Sequence, residues 1–353
     1  MENTRTICLN MIVKNEEHCI EKSLNSIKHL IDYWIISDTG STDNTKEKIK
    51  EILKDIPGEL HENEFVDFST NRNIVLNLSK NKSDYLLFLD ADDYFEGSID
   101  KNNLIENVYT TKIYHGSILY DRVFLVKNNL NYKYIGILHE YLDTNNNFGK
   151  SLDNCKIIFG GNGNRSKNIN KFLDDGELFE KNLKNDGTDN PRDIFYCAQS
   201  FRDAGQIEKA IKYYTLRTNM GGYFDEIFIS QLNLHNLYSS VGLYGLLENL
   251  TIDAYNMFPH RAEILYCHAY HLRSIGEHAK AYFYITIASK IPLPQGLFVY
   301  KDLYDYKIKE ELAICSYNVN YKQQALNLYL QLLNIVPIED RDRIINNINE
   351  CKK

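Results

Sequence analysis

Cysteine pairs at redox or metal-binding spacing are missing from this 353-residue chain. Its seven cysteines fall at 8, 19, 155, 197, 267, 315 and 351, with no C-x-x-C among them. An odd, scattered set supports neither a disulfide framework nor a zinc-finger pattern, and a reducing compartment is the expectation. Positive charge is also short: 40 Lys and Arg against 48 Asp and Glu leave a net charge of −8. Such a balance excludes a broad basic face binding a nucleic-acid backbone as the main activity. No run approaches the ~20 apolar residues of a membrane span, and the first residues carry an acid, Glu2, in place of a basic leader. A soluble, cytoplasmic protein is therefore expected. Tryptophan occurs once and proline six times, against 26 tyrosines and abundant Asn, Lys and Ile. That bias reads as AT-rich coding and carries no function.

What remains is globular. A hydrophobic fraction of 43% and a charged fraction of 25% are near average for soluble proteins. The length calls for two domains. From Thr6 to Asp93, short β-branched runs alternate with helical segments, the pattern of βαβ units around a mostly parallel sheet. Strands are predicted at Thr6–Val13, Tyr33–Ser37, Glu59–Glu64 and Tyr85–Asp90, and helices near Glu17–His29, Asn44–Lys54 and Ser69–Ser79. Beyond Asp93, Lys112–Lys127 and Tyr132–Leu142 read as longer extended segments of a mixed sheet. Gly160–Lys167 reads as a glycine-rich loop with two cations.

From about Phe172 the pattern turns helical and repeats. Ala198, Gly205 and Ala210 share their spacing with Ala269, Gly276 and Ala281, and with Ala313, Asn320 and Ala325. Small residues permit close helix packing, and Gly or Asn suits the turn between helices. A degenerate copy centres on Gly242. The expected division is 1–170, an α/β catalytic domain, and 171–353, an all-α tetratricopeptide-like domain.

The strands of such a sheet present their functional groups at their C-terminal ends. There the chain places Lys14-Asn15-Glu16, Asp38-Thr39-Gly40-Ser41, and Asp90-Ala91-Asp92-Asp93. An apolar strand running into three carboxylates suits Mg²⁺ or Mn²⁺ shared with a diphosphate, since these ions take a few carboxylates, phosphate oxygens and water. Asp38 can accept from a nucleobase N–H while Gly40 lets the backbone approach. Arg72 offers a fork of donors to a phosphate.

Together these residues resemble the family 2 glycosyltransferases of the GT-A fold. The resemblance runs through Leu9–Glu17, Ser37–Asp43, Arg72-Asn73 and Asp90–Asp93. Tyr134-Ile135-Gly136-Ile137-Leu138-His139-Glu140 and two later stretches, Phe195–Phe201 and Gly221–Glu226, resemble a subgroup with a C-terminal tetratricopeptide-like domain. Ile158-Phe159-Gly160 departs from that subgroup, where a histidine is expected. The resemblance implies an inverting, metal-dependent transfer from a nucleotide-sugar donor, with UDP favoured, to a protein or glycan acceptor. It implies that Asp38 holds the base and that Asp92 holds the metal and diphosphate. Asn15, Glu16, Gly40, Arg72, Asp90 and Ala91 then line the donor site, with Arg165 and Lys167 closing over the diphosphate. Glu140 is the expected general base and Asp93 the second choice, while His139 completes the metal shell or orients Glu140. The helical domain is open to binding an acceptor, joining a homodimer or docking a partner. Two other readings compete: a sugar nucleotidyltransferase, which needs a basic glycine-rich loop after the first strand where this chain has Lys14–Glu17, and a non-catalytic nucleotide-binding adaptor.

Overall fold

In the computed structural model of the protein, residues 4–145, 147, 149–186 and 190–353 are described. The chain divides into two compact units, Met1–Asp175 and Gly176–Lys353; the sequence reading put the boundary at 170/171. Among the described residues no helix is long and apolar enough to cross a membrane.

The first unit opens with three βαβ crossovers: β1 (Ile7–Val13), α1 (Ile20–Ile27), β2 (Tyr33–Asp38), α2 (Thr45–Ile52), β3 (Gly58–Glu62), α3 (Phe68–Leu78) and β4 (Tyr85–Phe88). Strand alternation explains how the sheet is covered on both faces. Ile7, Leu9, Met11 and Val13 pack in one core with Ile20, Leu24 and Ile27 of α1 and Ile49 of α2. Cys8 turns to the other face, with Val75 and Leu76 of α3. Asn10 is buried on β1, and its amide donates to Ser79 Oγ at 2.8 Å.

After β4 the chain makes β5 (Tyr94–Gly97), β6 (Val108–His115), β7 (Ile118–Lys127), β8 (Lys133–Ile135), β9 (Tyr141–Asp143) and β10 (Lys150–Ile158). The main sheet runs β3-β2-β1-β4-β7-β6-β10-β5, with β8 and β9 as a separate hairpin. β1 pairs in parallel with both β2 and β4, whereas β7 enters antiparallel beside β4. The order reverses between β1 and β4, the switch point where open α/β sheets bind ligands. The segment read as one extension, Lys112–Lys127, is the β6–β7 hairpin, broken at Gly116 with φ 59°. β5 and β10 were not foreseen. Their burial alternates irregularly, and β10 pairs with β6 through a register shift.

The second unit is built of paired helices. α4 (Lys171–Asp186) straddles the boundary and is followed by the pair α5 (Pro191–Asp203) and α6 (Ile207–Thr218). Next come α7 (Phe224–Ser240) with α8 (Leu247–Met257), α9 (Glu263–Ser274) with α10 (His278–Ala288), α11 (Ile308–Asn318) with α12 (Lys322–Leu332), and a closing α13 (Arg341–Cys351). The predicted repeat is seen residue by residue. Ala198, Ala210, Ala269, Ala281, Ala313 and Ala325 are all fully buried. Gly205, Gly242, Gly276 and Asn320 take φ 71°, 80°, 84° and 67°. Each turn is closed by the same backbone bond back across it: Gln206 to Phe201, Leu243 to Tyr238, Glu277 to Leu272, Tyr321 to Ser316. That is the left-handed C-terminal cap repeated four times, and it makes the unit tetratricopeptide-like. Tyr213 and Tyr214 are core residues, whereas Tyr223 is exposed.

Inside this unit His235 and His268 are buried, with His235 Nε2 and His268 Nδ1 3.4 Å apart. Burial, and for His235 the neighbouring His268, pushes their pKa values down to about 3 and about 4. Both folded values lie below the ordinary 6.5, so their contribution is complete above that pH and lost as pH falls towards 4. Urea midpoints of the helical unit are expected to drop between pH 7.5 and 4.5, and His235→Leu to flatten that drop. Gly276→Ala, forced into left-handed backbone, is expected to cost about 1–2 kcal/mol in the same assay.

Candidate functional site

The residues at the strand ends are bound first to one another. After β1, Asn15 sits at φ 55°, so the chain turns sharply there. Its N–H donates to Ser41 Oγ at 2.8 Å, and its Oδ1 accepts from Thr42 N at 2.7 Å. Glu16 N–H donates to Thr45 Oγ1 at 2.8 Å. The Asn15-Glu16 turn and the Ser41–Thr45 turn thus staple the ends of β1 and β2 together. Asn15, expected to line the donor site, has its amide oxygen committed to this staple.

Asp38 closes β2 and is 1% exposed. Its Oδ1 accepts from Gly40 N at 2.9 Å and Ser41 N at 2.7 Å, the Gly40 backbone lying at φ 104°. Its Oδ2 is buried and, among the described residues, has no hydrogen-bond partner. A buried carboxylate oxygen left so is costly unless something else donates to it.

Around Asp90 the arrangement differs from expectation. Asp67 caps α3, accepting from Thr70 N at 2.7 Å, and so sets the helix that carries Arg72. Arg72 Nη2 donates to Asp90 Oδ1 at 2.6 Å, and Arg72 Nε to Glu140 Oε1 at 2.5 Å. On the other side Arg122 Nη1, from β7, lies 2.7 Å from Asp90 Oδ2 and 3.4 Å from Asp93 Oδ2. Burial opposes the charge on Asp90, but Arg122 and Arg72 outweigh it and hold its carboxyl well below the usual range. Both Asp90 oxygens are therefore engaged by guanidinium groups. Arg72 is a bridge between two carboxylates, where a phosphate contact was expected. Arg122 was not foreseen; a lone arginine in an alternating strand gives no signal.

Glu140 reaches the site by a hairpin. Asn73, next to Arg72, exchanges two bonds with the Tyr134 backbone, at 2.9 and 2.8 Å, and so docks β8 on α3. The turn to β9 contains Gly136 at φ 109° and His139 at φ 49°. His139 and Glu140 lie in this turn, Glu140 immediately before β9. Glu140 is turned to Arg72, while His139 is exposed.

The glycine-rich stretch supplies backbone, not cations. Gly160 N donates to Asp93 Oδ1 at 3.2 Å, Gly163 N to Asp92 Oδ2 at 3.0 Å, and Asn164 N to Glu16 Oε1 at 3.1 Å. A Cβ on Gly160 would drive into the Asp92 carbonyl, and one on Gly163 would lie 2.9 Å from Asp92 Oδ2. Arg165 pairs with Asp175 and lies over the Phe68 ring, 5.3 Å from its centre, and Lys167 is exposed. In the stretch Ile158-Phe159-Gly160, where a histidine was expected, Phe159 packs on His115 with ring centres 4.1 Å apart. Asp93 is 2% exposed, and burial together with Asp90 raises its pKa to about 7.

For a metal, Asp90, Asp92 and His139 do not gather as a three-ligand set; among the described residues the set that does is Glu16, His18 and Cys19. Asp90 is neutralised by arginine, so Asp92, half-buried and with one oxygen held by Gly163, is the carboxylate of the pair suited to a hard cation.

Residues 8–172 match the family model for glycosyl transferase family 2. The chain is 27% identical over 239 residues to the SPbeta prophage-derived glycosyltransferase SunS of Bacillus subtilis (strain 168), across 63% of this chain and 54% of that protein. The glycosyltransferase SunS of Bacillus phage SPbeta matches with the same figures. The match spans about half the length of these curated relatives. Similar solved structures include a thermophilic TPR protein of Thermus thermophilus, 19% identical at TM-score 0.36, covering 51% of this chain and 92% of that one. Another is the C-terminal part of a TPR repeat-containing protein of Cytophaga hutchinsonii, 15% identical at TM-score 0.41, covering 52% and 69%.

Arg72→Met leaves Asp90 with one cation and Glu140 with none, and is expected to destabilise the first unit by roughly 3–5 kcal/mol in denaturant melts. Adding Glu140→Gln to that variant is expected to recover part of the loss, giving a coupling energy in a double-mutant cycle. The α/β order, the switch point between β1 and β4 and the matched sequence point the same way: over residues 8–172 the chain is similar to glycosyl transferase family 2.

Proposed function

We propose that the protein is a glycosyltransferase that moves a sugar from a nucleoside-diphosphate donor, UDP-linked by preference, to a protein or glycan acceptor. The observation that carries this reading is Asp38 Oδ2, a buried acceptor without a partner at the end of β2. A ring N–H of uracil, thymine or guanine satisfies it; cytosine presents a lone pair at N3, and its donor at that edge is the exocyclic N4 amine, displaced from the ring position. With the base at Asp38, a diphosphate can extend along the strand ends towards Asp92.

Asp92 is proposed to hold Mn²⁺ or Mg²⁺. Hard carboxylate oxygen and a half-open position fit such an ion, which when bound supplies Lewis-acid stabilisation to the departing diphosphate. The chain's own residues do the rest. Gly163 N–H fixes the Asp92 carboxylate, and the Arg72–Asp90–Arg122 bridge holds the turn that carries it. Glu140, fixed by Arg72 through Oε1, is the proposed base for an acceptor proton. Asp93 is the weaker candidate, because its carboxylate is buried against Gly160 and Arg122. Attack from the face opposite the diphosphate would invert the anomeric centre.

The adaptor reading requires nucleotide binding without turnover, and release of nucleoside diphosphate from a donor separates the two. The first test is thermal unfolding with nucleotides. UDP with Mn²⁺ is expected to stabilise the wild type by about 2.7 kcal/mol at a hundredfold excess over its Kd. Asp92→Ala is expected to lose the Mn²⁺-dependent part. In Asp38→Asn the carbonyl stays on Gly40 and Ser41 and an NH₂ takes the place of Oδ2, so UDP affinity is expected to fall at least tenfold, by roughly 1.5–3 kcal/mol. Unchanged UDP stabilisation in both variants would remove the site from this reading.

A further inference from the structure

The turn between β1 and α1 carries a second set of ligating side chains: Glu16, expected from the sequence to line the donor site, stands there beside His18 and Cys19, to which the proposed transfer gives no role. Glu16, His18 and Cys19 each bring one ligand atom within 4.8 Å of the others. The Cys19 thiol, 7% exposed, donates to Glu16 Oε2 at 3.1 Å. His18 Nε2 lies 2.6 Å from the carbonyl oxygen of Asn162. A carbonyl only accepts, so Nε2 carries the proton and Nδ1 the lone pair. A ring whose far N–H is fixed by a backbone carbonyl is how metal-ligating histidines are commonly oriented. Glu16 is fixed in turn by Asn164 N–H. Two of the three candidate ligands are thus held by backbone groups of the 160–164 stretch.

Tetrahedral Zn²⁺ ligands at 2.0–2.3 Å from the ion lie roughly 3.3–3.8 Å from one another. With no ligand atom more than 4.8 Å from another, the cluster needs at most roughly 1–1.5 Å of contraction, and His18 is exposed enough to move. The donor set also selects the ion. Thiolate and imidazole favour Zn²⁺ or Co²⁺, whereas Mg²⁺ and Mn²⁺ prefer oxygen alone.

We propose that Glu16, His18 and Cys19 form a binding site for a thiophilic divalent cation of the Zn²⁺ class, separate in ligands and in hardness from the cation proposed at Asp92. Binding replaces the thiol proton, which passes to solvent, by a metal–sulfur bond, and water fills the fourth position. Because His18 and Glu16 are also tied to Asn162 and Asn164, the bound ion fastens the end of β1 to the stretch after β10. The inference does not rest on the sugar-transfer reading.

The test is a titration of metal-free protein with Co²⁺, following the thiolate-to-cobalt charge-transfer absorption. A band saturating at one Co²⁺ per chain is expected, displaced by Zn²⁺ and not by Mg²⁺. Cys19→Ser is expected to abolish it and His18→Ala to weaken Co²⁺ binding by at least roughly tenfold. Cys155→Ser, at a buried thiol outside the cluster, is expected to keep it. Circular dichroism of each metal-free variant verifies that it is folded. No band in the wild type, or a band that survives in folded Cys19→Ser, overturns the proposal.

Discussion

Asp90 between two arginines is the interaction on which the first unit's site depends. Four separate pieces of chain meet there: the end of β4, α3 through Arg72, β7 through Arg122, and the β8–β9 hairpin through Glu140. Asp90 is partly exposed, whereas Arg72 is buried, so removing one partner leaves charge uncompensated in a part-buried cluster. The same bridge fixes where Glu140 points and where the Asp90–Asp93 turn sits. Rigid placement is what a transfer site requires of groups that must be aligned before a donor arrives.

Around that centre the protein balances acids against backbone. Asp38, Asp92, Asp93 and Glu16 each accept from main-chain N–H groups, those of Gly40, Ser41, Gly160, Gly163 and Asn164. Backbone donors hold a carboxylate without adding a side chain to the space above it. The glycines follow from this: at 160 and 163 a Cβ would collide with Asp92. With Arg72 and Arg122 committed to Asp90, Glu140 and Asp93, the acids that remain at the strand ends suit a ligand that arrives together with a divalent ion.

Much of this was legible in the sequence, and the exceptions have physical reasons. The four early strands and three helices were readable because buried parallel strands and amphipathic crossovers carry strong periodicity. The helix pairs were readable because packing demands alanine and the turns demand left-handed backbone, as Ala198, Gly205 and Ala210 show. The roles of Arg72 and Arg165 were not. A sequence shows that a cation is present, not which carboxylate it meets, and Asp90, Glu140 and Asp175 lie 18, 68 and 10 residues away from their arginines. Arg122 gave no signal at all, since nothing near it in sequence marks the strand end opposite. The Gly160–Lys167 stretch was read by its side chains, whereas its amides make the contacts.

Asp38 ties the fold to the proposed chemistry, and base selectivity tests it most directly. Calorimetric titration of the protein with UDP and with CDP, each with Mn²⁺, compares ligands that differ at the edge Asp38 Oδ2 would face. The account predicts that UDP binds roughly 10–100-fold more tightly, the worth of a hydrogen bond to a buried carboxylate. Equal affinities for the two would contradict it.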